Sequence, residues 1–360
     1  MLIYILLIFL ILLLLLAIRS NIIKPKSGLI ISFVAFAFVV GLRGSTVGED
    51  TLTYLDIATG SSIRSWKQII SEFPSTVWGY TDWGSEQTIE TGYLLFNKVI
   101  MSIWNNEQMV LLIVSLLTSL GFARFILLNS ENHSESIWIY MCESLFLTSF
   151  NLSRQTLAMA IALQSFYHIR NNRNGKAIVW ILLASTIHLS SIICLLLIPL
   201  YQFAKRKDTI KYITIVCVLI PLLLPIVKLL ISYILPSYSG YFANNYWDTQ
   251  LGGSVLLWLL LGVGMIVMAY KGIEQQEHRF LVMCGIIYIC LELTGLQISA
   301  MTRIALFFRA FLLLLYPVIF KYFVGYKHQV YKFALNSFVL LLFISGFSSQ
   351  ARLYVPYWLT

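Results

Sequence analysis

The chain has 360 residues, of which 59% are hydrophobic and only 11% are charged. Soluble globular domains carry about 25% charged residues, so this composition excludes one and predicts an all-α polytopic membrane protein. A span takes about 20 apolar residues, which leaves room for about ten or eleven transmembrane helices in a single integral membrane domain, 1–360. The net charge of +9 does not indicate nucleic-acid binding, because the basic residues lie in short loops between apolar runs, where they set helix orientation.

The first predicted span, residues 2–17, is almost pure Leu and Ile. It lacks the basic start and the small-residue cleavage site of a signal peptide, so we expect it to remain as a helix. Arg19 and Lys24 follow it, and the positive-inside rule therefore places the N-terminus outside. A second span, residues 29–42, returns the chain to the outer side at Arg43.

The polar segment 43–108 is predicted to form one large outer loop. It holds eight acidic and four basic residues, and such an acidic excess fits the outer side. Residues 93–104 within it are apolar but too short to span, with aromatic residues at both flanks. We therefore expect an amphipathic helix in the membrane interface there.

Eight further spans are predicted after this loop. They cover residues 109–128, 137–150, 155–169, 212–235, 255–270, 280–298, 304–320 and 333–347. The last of them leaves the C-terminus on the outer side.

Residues 177–204 are apolar enough for one crossing, but basic clusters flank them on both sides. Both flanks therefore favour the cytoplasm, which predicts a re-entrant helical hairpin that enters and returns without crossing. The break is expected near the polar run Ser185–Ser191, with His188 at the tip and towards the outer face. With this hairpin, 16 of the 25 basic residues lie in the cytoplasm.

Four arginines lie at or near the outer ends of predicted spans, where the positive-inside trend disfavours a base. They are Arg43, Arg154, Arg303 and Arg309. Snorkelling to lipid head groups explains any one of them. As a set they indicate a phosphate site, since a guanidinium holds phosphate through two hydrogen bonds. We therefore expect a lipid-linked phosphate or diphosphate to bind at the outer leaflet.

Two residues are candidates for a general base that takes a proton from an attacking hydroxyl. Asp50 follows Glu49 in the polar sequence after Arg43, and a solvated loop or a helix N-cap is the structural alternative. His188 carries an imidazole, which titrates near neutral pH, although a lone histidine among Ser and Thr is also typical of a structural hydrogen bond.

The predicted outer loop 237–254 contains Tyr246 and Trp247, whose rings could stack on sugars. An interfacial aromatic belt explains the same residues. The sequence has no His/Cys metal spacing, glycine-rich phosphate loop or serine nucleophile elbow. We therefore expect metal-free chemistry without a cofactor.

Four short motifs follow one another on the same predicted side. They are Arg43 with Gly48-Glu49-Asp50-Thr51 and Tyr54; Asn151-Leu-Ser-Arg154-Gln155 with Ala158; Ala184 with His188-Leu-Ser-Ser191; and Thr302-Arg303 ahead of an aromatic pair and Pro317. In this order they resemble the EpsG-type branch of the Wzy polysaccharide polymerases. The resemblance covers nearly the whole chain.

The resemblance implies a polymerase of O-antigen, as found in lipopolysaccharide, or of exopolysaccharide, with a GT-C-like fold in the bacterial inner membrane. Segment 43–108 would then be a periplasmic loop. In that family pattern, a hydroxyl of the acceptor unit attacks the anomeric carbon of the growing chain, and undecaprenyl diphosphate departs. The implied partners are undecaprenyl-diphosphate-linked repeat units, membrane lipids and a chain-length regulator protein.

The departing diphosphate needs positive charge where negative charge develops. Within the resemblance this is the role of the four arginines, and Asp50 or His188 is the base, with Asp50 preferred because it lies in the polar loop after Arg43. Supporting or sugar contacts are expected from a further set of residues. They are Glu49, Tyr54, Asn151, Gln155, Tyr246 and Trp247.

Other functions use similar residues. An O-antigen ligase, or another GT-C-type glycosyltransferase acting on a lipid-linked sugar, would employ similar arginines and differ in its product. A flippase would need charges along a route through the whole bilayer, whereas the strongest arginine set lies on one side. An idle scaffold would lose nothing but stability when the arginines are replaced.

A topology reporter fused after Lys207 tests the predicted arrangement. We expect a cytoplasmic position, because the re-entrant segment returns the chain to the side from which it entered. A reporter found outside the membrane would overturn the hairpin and invert every later loop.

Overall fold

The computed structural model describes residues 2–80, 86–143, 145–234, 252–298, 300–350 and 354–359. It is 81% helical, which confirms the all-α polytopic class predicted from composition. The chain forms two compact units, Met1–Leu195 with Leu341–Thr360, and Leu196–Leu340. The membrane domain expected from the sequence is thus built from two units.

The first unit contains eleven of the helices described and one β-hairpin. The elements up to the end of the polar segment are α1 (Leu2–Arg19), α2 (Pro25–Gly41), α3 (Thr51–Ile63), α4 (Trp66–Ser71), β1 (Ser75–Tyr80), β2 (Glu86–Glu90) and α5 (Thr91–Trp104). The later ones are α6 (Glu107–Asn129), α7 (His133–Cys142), α8 (Leu145–Asn151), α9 (Ser153–Ala162), α10 (Gln164–Arg170) and α11 (Asn174–Ile187), followed by a 3-10 helix, Leu189–Leu196.

The polar segment 43–108 folds into a compact insert rather than an open loop. Lys98 on α5 donates to the carbonyls of Ser61 and Ser62 at the end of α3, which supplies partners for helix-end carbonyls. Trp78 on β1 packs against the Cα of Gly60, where a Cβ would lie 2.6 Å from the indole. The helix predicted at 93–104 is present as α5, and its location in the membrane interface stays a prediction.

The ends of α1 and α2 meet the C-terminal residues at one end of the first unit. Val355 accepts a hydrogen bond from the N–H of Gly44 at 2.7 Å, and Tyr357 donates to Leu42 at 3.0 Å. The ring of Tyr354 packs on that of Tyr4 near the start of α1. The three segments that the sequence places on the outer side therefore lie together, and their location on one side of the membrane stays a prediction.

Two basic residues that the sequence places in the cytoplasm, Arg124 and Arg170, link α6 and α10 in the first unit. Arg170 at the end of α10 donates to the Asn129 side chain at the end of α6, and Arg124 on α6 donates to Gln164. Gln164 also donates to Gly121 and Ala160. These contacts join α6 to α9 and α10 around polar side chains.

The second unit contains six helices, and a seventh runs from it into the first unit. They are α12 (Leu197–Phe203), α13 (Thr209–Ile234), α14 (Gly252–Lys271), α15 (Gln276–Gly295), α16 (Ala300–Arg309), α17 (Leu312–Lys321) and α18 (Tyr326–Gln350). Arg279 on α15 is buried and donates to the carbonyls of Ala204, Ile273 and Glu274. The guanidinium group of Arg279 therefore joins the end of α12 to the turn before α15.

Among the described residues, five helices are long and apolar enough to span a membrane. They are α1, α6, α13, α14 and α15. The predicted span 304–320 is a helix pair, α16 and α17, bent by 52° after Arg309. If this pair is counted as one span, the described residues contain six. Spans 137–150 and 155–169 are each broken into two shorter helices. The count of ten or eleven stays a prediction.

The predicted hairpin region is helical on both sides of His188, and the helix is interrupted at that residue. Residue 188 has extended backbone, with φ −153° and ψ 113°, between α11 and the 3-10 helix. The break therefore lies within the polar run where the sequence places it. Entry and return from one side of the membrane stay a prediction.

The start of α5 lies directly against the end of α11. A Cβ on Gly92 would come within 2.5 Å of the Thr186 carbonyl oxygen, so this contact tolerates only glycine. Because Gly92 follows Glu90 closely and Thr186 precedes His188, the contact places Glu90 beside the break.

Replacing Gly92 by alanine tests this close approach. We expect Gly92→Ala to lower the free energy of unfolding by about 1–3 kcal/mol, because the methyl group overpacks against backbone. The thermal unfolding midpoint of the purified protein in detergent measures the change. Gly175→Ala on α11 is the matched control, since its Cβ meets no atom within 4 Å, and its midpoint should not fall.

Candidate active site

Arg43 is buried, with 1% of its surface exposed, and its guanidinium is surrounded by internal acceptors. Nε donates to Thr51 Oγ1 at 2.9 Å and Nη1 to the Val40 carbonyl at 2.7 Å. Nη2 donates to Ser153 Oγ at 3.1 Å and to the Phe150 carbonyl at 3.3 Å. Burial lowers the pKa of Arg43 to about 10, so it stays charged at neutral pH.

This placement favours a structural role for Arg43 over the predicted diphosphate contact. All three nitrogens already donate within the protein, and a ligand would have to replace partners that hold α2, α3 and α9 together. The preference for Asp50 as base, which rested on its place in the polar loop after Arg43, stays a prediction.

The loop after Arg43 packs on the turn between α8 and α9. Gly48 adopts φ +85°, and a Cβ there would lie 3.0 Å from Asn151 Oδ1. Asn151 Oδ1 accepts from the Glu49 N–H at 3.1 Å, and its carbonyl accepts from the Tyr54 hydroxyl at 2.9 Å. The first two sequence motifs therefore meet in space.

Two charged or titratable side chains from distant parts of the chain converge on one carboxylate, that of Glu90. Glu90 Oε2 lies 2.8 Å from Arg154 Nη1, and Oε1 lies 3.2 Å from His188 Nδ1. Oε1 also accepts from the Leu189 N–H at 2.8 Å. We call Arg154, Glu90 and His188 the Glu90 cluster. The His188 ring nitrogen is a close ionic neighbour and not a well-aligned hydrogen-bond donor.

The Glu90 cluster is only partly shielded from its surroundings. The side chains of Arg154, His188 and Glu90 are 21%, 18% and 13% exposed. Burial raises the pKa of Glu90, but His188, Arg154 and the Leu189 N–H together outweigh it and hold this pKa below its usual range. Glu90 is therefore ionised at neutral pH.

Tyr54 and Tyr93 extend the polar surroundings of Arg154. Burial, then Tyr93 and Asp50, raise the pKa of Tyr54, while Arg154 opposes the rise. Burial raises the pKa of Tyr93 to about 12, against the charge of Arg154. Both phenols are neutral at physiological pH, and that of Tyr54 donates to the Asn151 carbonyl. The dependence of Tyr54 on both Asp50 and Arg154 shows that the two lie in one electrostatic neighbourhood.

The other predicted site residues are distributed as follows. Asp50 is half-buried and occupies the N-cap position of α3, where its carboxylate does not accept the capping hydrogen bond. Glu49 is exposed and Gln155 is buried. Arg303 is exposed and Arg309 half-buried, both on α16 of the second unit. Tyr246 and Trp247 lie outside the described residues.

Sequence reasoning missed Glu90. It counted as one of eight acids in an acidic loop, and no spacing marks it, since Arg154 and Leu189 lie 64 and 99 residues away along the chain. In the part of the chain that the structure describes, no three His, Cys, Asp or Glu side chains are grouped so that they could hold a metal ion.

The fold and the Glu90 cluster define a polytopic helical membrane protein with a cation, a carboxylate and an imidazole at one polar site. The chain belongs to the EpsG family, whose model matches residues 28–359. The family resemblance is therefore confirmed, and it indicates a general role in polysaccharide polymerisation of the glycosyltransferase type. No curated protein and no solved structure gives a significant match. The GT-C-like fold stays a prediction.

Replacing Arg43 by methionine separates a structural role from a ligand role. We expect the free energy of unfolding to fall by about 3 kcal/mol, because buried acceptors lose a charged donor. The unfolding midpoint in detergent measures this, with Arg64→Met as the control, since the Arg64–Glu72 pair is more exposed, at 31% and 37%, and its loss costs little stability. An unchanged midpoint in Arg43→Met would contradict the structural role.

Proposed function

We propose that the chain polymerises a surface polysaccharide at the periplasmic face of the bacterial inner membrane. It transfers the growing glycan from undecaprenyl diphosphate to the next lipid-linked repeat unit. The observation that carries the proposal is that Arg154 and His188, from separate motifs of an EpsG-family chain, meet on Glu90. A phosphate-binding cation and a titratable base are thus available together. Membrane lipids and a chain-length regulator protein are the further partners proposed.

Arg154 is the residue proposed to bind the diphosphate. Both of its hydrogen bonds among the described residues run through Nη1, to Thr88 and Glu90, and the side chain remains partly exposed. A guanidinium in this position can present two parallel N–H groups to a phosphate. Its charge would stabilise the diphosphate as the glycosidic bond to it breaks. Arg303 and Arg309 are carried in the proposal as further diphosphate contacts, on the basis of the sequence.

His188 is the base that the geometry supports best. If Nδ1–H faces the Glu90 carboxylate, Nε2 keeps its lone pair and can accept a proton. The acceptor hydroxyl oxygen forms a bond to the anomeric carbon, its proton passes to Nε2, and the bond from that carbon to the diphosphate oxygen breaks. Glu90 then stabilises the imidazolium, as a carboxylate does in a catalytic triad. Asp50 is the alternative base. Because the proposed transfer is a direct displacement, it inverts the configuration of the anomeric carbon.

Deleting the gene in its host and resolving the surface polysaccharide by length on a gel tests the function. We expect the ladder of lengths to be lost, leaving one repeat unit on the anchor. A plasmid copy of the wild type should restore the ladder, and Arg154→Ala should not. Arg64→Ala is the matched control, because Arg64 also makes an ion pair in the insert, with Glu72 at 2.9 Å, and should restore it.

The outcomes distinguish the alternatives. An unchanged ladder after deletion would remove the polymerase proposal, and a normal ladder with folded Arg154→Ala would remove the diphosphate site. Loss of all polysaccharide would indicate a ligase or a flippase instead. Arg154→Lys adds a test of geometry: we expect little restoration, because lysine cannot offer a bidentate fork, and full restoration would mean that only the charge counts.

A further inference from the structure

Glu90 divides its two carboxylate oxygens between two tasks. Oε2 contacts only Arg154 among the described residues, whereas Oε1 lies beside His188 and accepts from the backbone N–H of Leu189. The Oε1 side is anchored, because Gly92 is pressed against Thr186 just before this break. The Oε2 side ends on a guanidinium that is 21% exposed.

A carboxylate and a phosphate are the same kind of partner for a guanidinium. Both accept N–H groups of the guanidinium, and Glu90 Oε2 takes Nη1 of Arg154. A phosphate that binds Nη1 and Nη2 side by side therefore competes with Glu90 for Nη1. Two anions on one guanidinium repel each other, and the weaker or more exposed pair gives way. Tyr54 and Tyr93, whose pKa values respond to the charge of Arg154, are neutral at physiological pH, so neither phenol supplies a replacement anion.

We propose that Glu90 holds the phosphate position on Arg154 while no substrate is bound, and yields Oε2 to the incoming diphosphate while Oε1 stays on the His188–Leu189 turn. This inference rests on the proposed function, and it gives Glu90 the role of a positioning residue. The exchange couples binding to chemistry. When Arg154 turns to the diphosphate, Glu90 no longer pairs with Arg154. Its carboxylate then stabilises the imidazolium that His188 forms during transfer.

The exchange would also prevent unspecific binding of anionic lipids at a partly exposed cation. Arg154 without a partner would attract any anionic head group. With Glu90 in place, an anion binds Arg154 only if it displaces the carboxylate. A diphosphate carries more charge than a lipid monophosphate and therefore displaces Glu90 more readily.

Binding of inorganic pyrophosphate to the purified full-length protein in detergent tests the exchange without any need for polymer. We expect Glu90→Gln to bind pyrophosphate about fivefold more tightly than the wild type, because the competing charge is removed from a partly exposed pair. Glutamine keeps an oxygen for the Leu189 N–H, so the fold is retained. Arg154→Gln should bind at least tenfold more weakly.

Two further variants keep the test sharp. Glu90→Asp retains the charge but is one methylene group shorter, so it cannot reach Arg154 and the Leu189 N–H together, and it should also bind pyrophosphate more tightly than the wild type. Glu72→Gln is the matched control, since Glu72 pairs with Arg64 at 2.9 Å in the same insert, and its affinity should equal that of the wild type.

A kinetic readout separates positioning from a purely structural role. In a polymerisation assay with lipid-linked repeat units, Glu90→Gln should lower KM while lowering kcat about a hundredfold, because the base loses its carboxylate. A structural defect would raise KM or leave it unchanged.

The results overturn the two proposals separately. Pyrophosphate affinity no tighter in either Glu90 variant than in the wild type would overturn the exchange, even if the wild type makes polymer. Tighter binding in both variants, combined with an unchanged ladder after gene deletion, would support the exchange and overturn the polymerase function.

Discussion

The buried guanidinium of Arg43 is the contact on which the polar end of the first unit depends. It joins the last turn of α2 to the start of α3 and to the α8–α9 turn through donors that one flexible amine could not replace. Arg154 directly follows Ser153, one of these acceptors, so the buried guanidinium of Arg43 holds the start of the helix that carries Arg154.

Glu90 has the complementary place. It is a single negative charge between two cationic or titratable groups, and it is held by a backbone N–H whose position depends on a glycine contact. Buried or half-buried charges are retained when they are paired, and here the pairing also brings together helices far apart in the chain. The cluster is therefore a part of the packing between α5, α9 and α11 as well as a chemical site.

The sequence predicted those features that depend on composition and local pattern. Long apolar runs such as those of α1 and α6, and the break at His188, follow from hydrophobicity and charge bias, whereas the contact of the Gly48 and Asn151 motifs became visible only in the structure. The sequence could not distinguish an arginine that turns inward, such as Arg43, from one that turns outward, such as Arg154, because both follow a helix end. Glu90 was beyond reach for the same reason: its partners are defined only by tertiary packing. The hairpin of β1 and β2 was missed because two short strands in a polar segment leave a weak alternation.

The pairing of residues 354–359 with the segment after α2 bears on how the protein is assembled. In a growing chain, α1 and α2 are inserted early, and domains generally fold from the N-terminal side first. Yet the Leu42 carbonyl accepts from the Tyr357 N–H, and the Gly44 N–H donates to the Val355 carbonyl. Both of these partners are synthesised after helices α1 to α18. These two hydrogen bonds beside Arg43 therefore cannot form until residues 355 and 357 have been synthesised. A chain that stops before residue 355 would insert α1 and α2 without them, so the polar end of the first unit depends on a segment made more than 300 residues later.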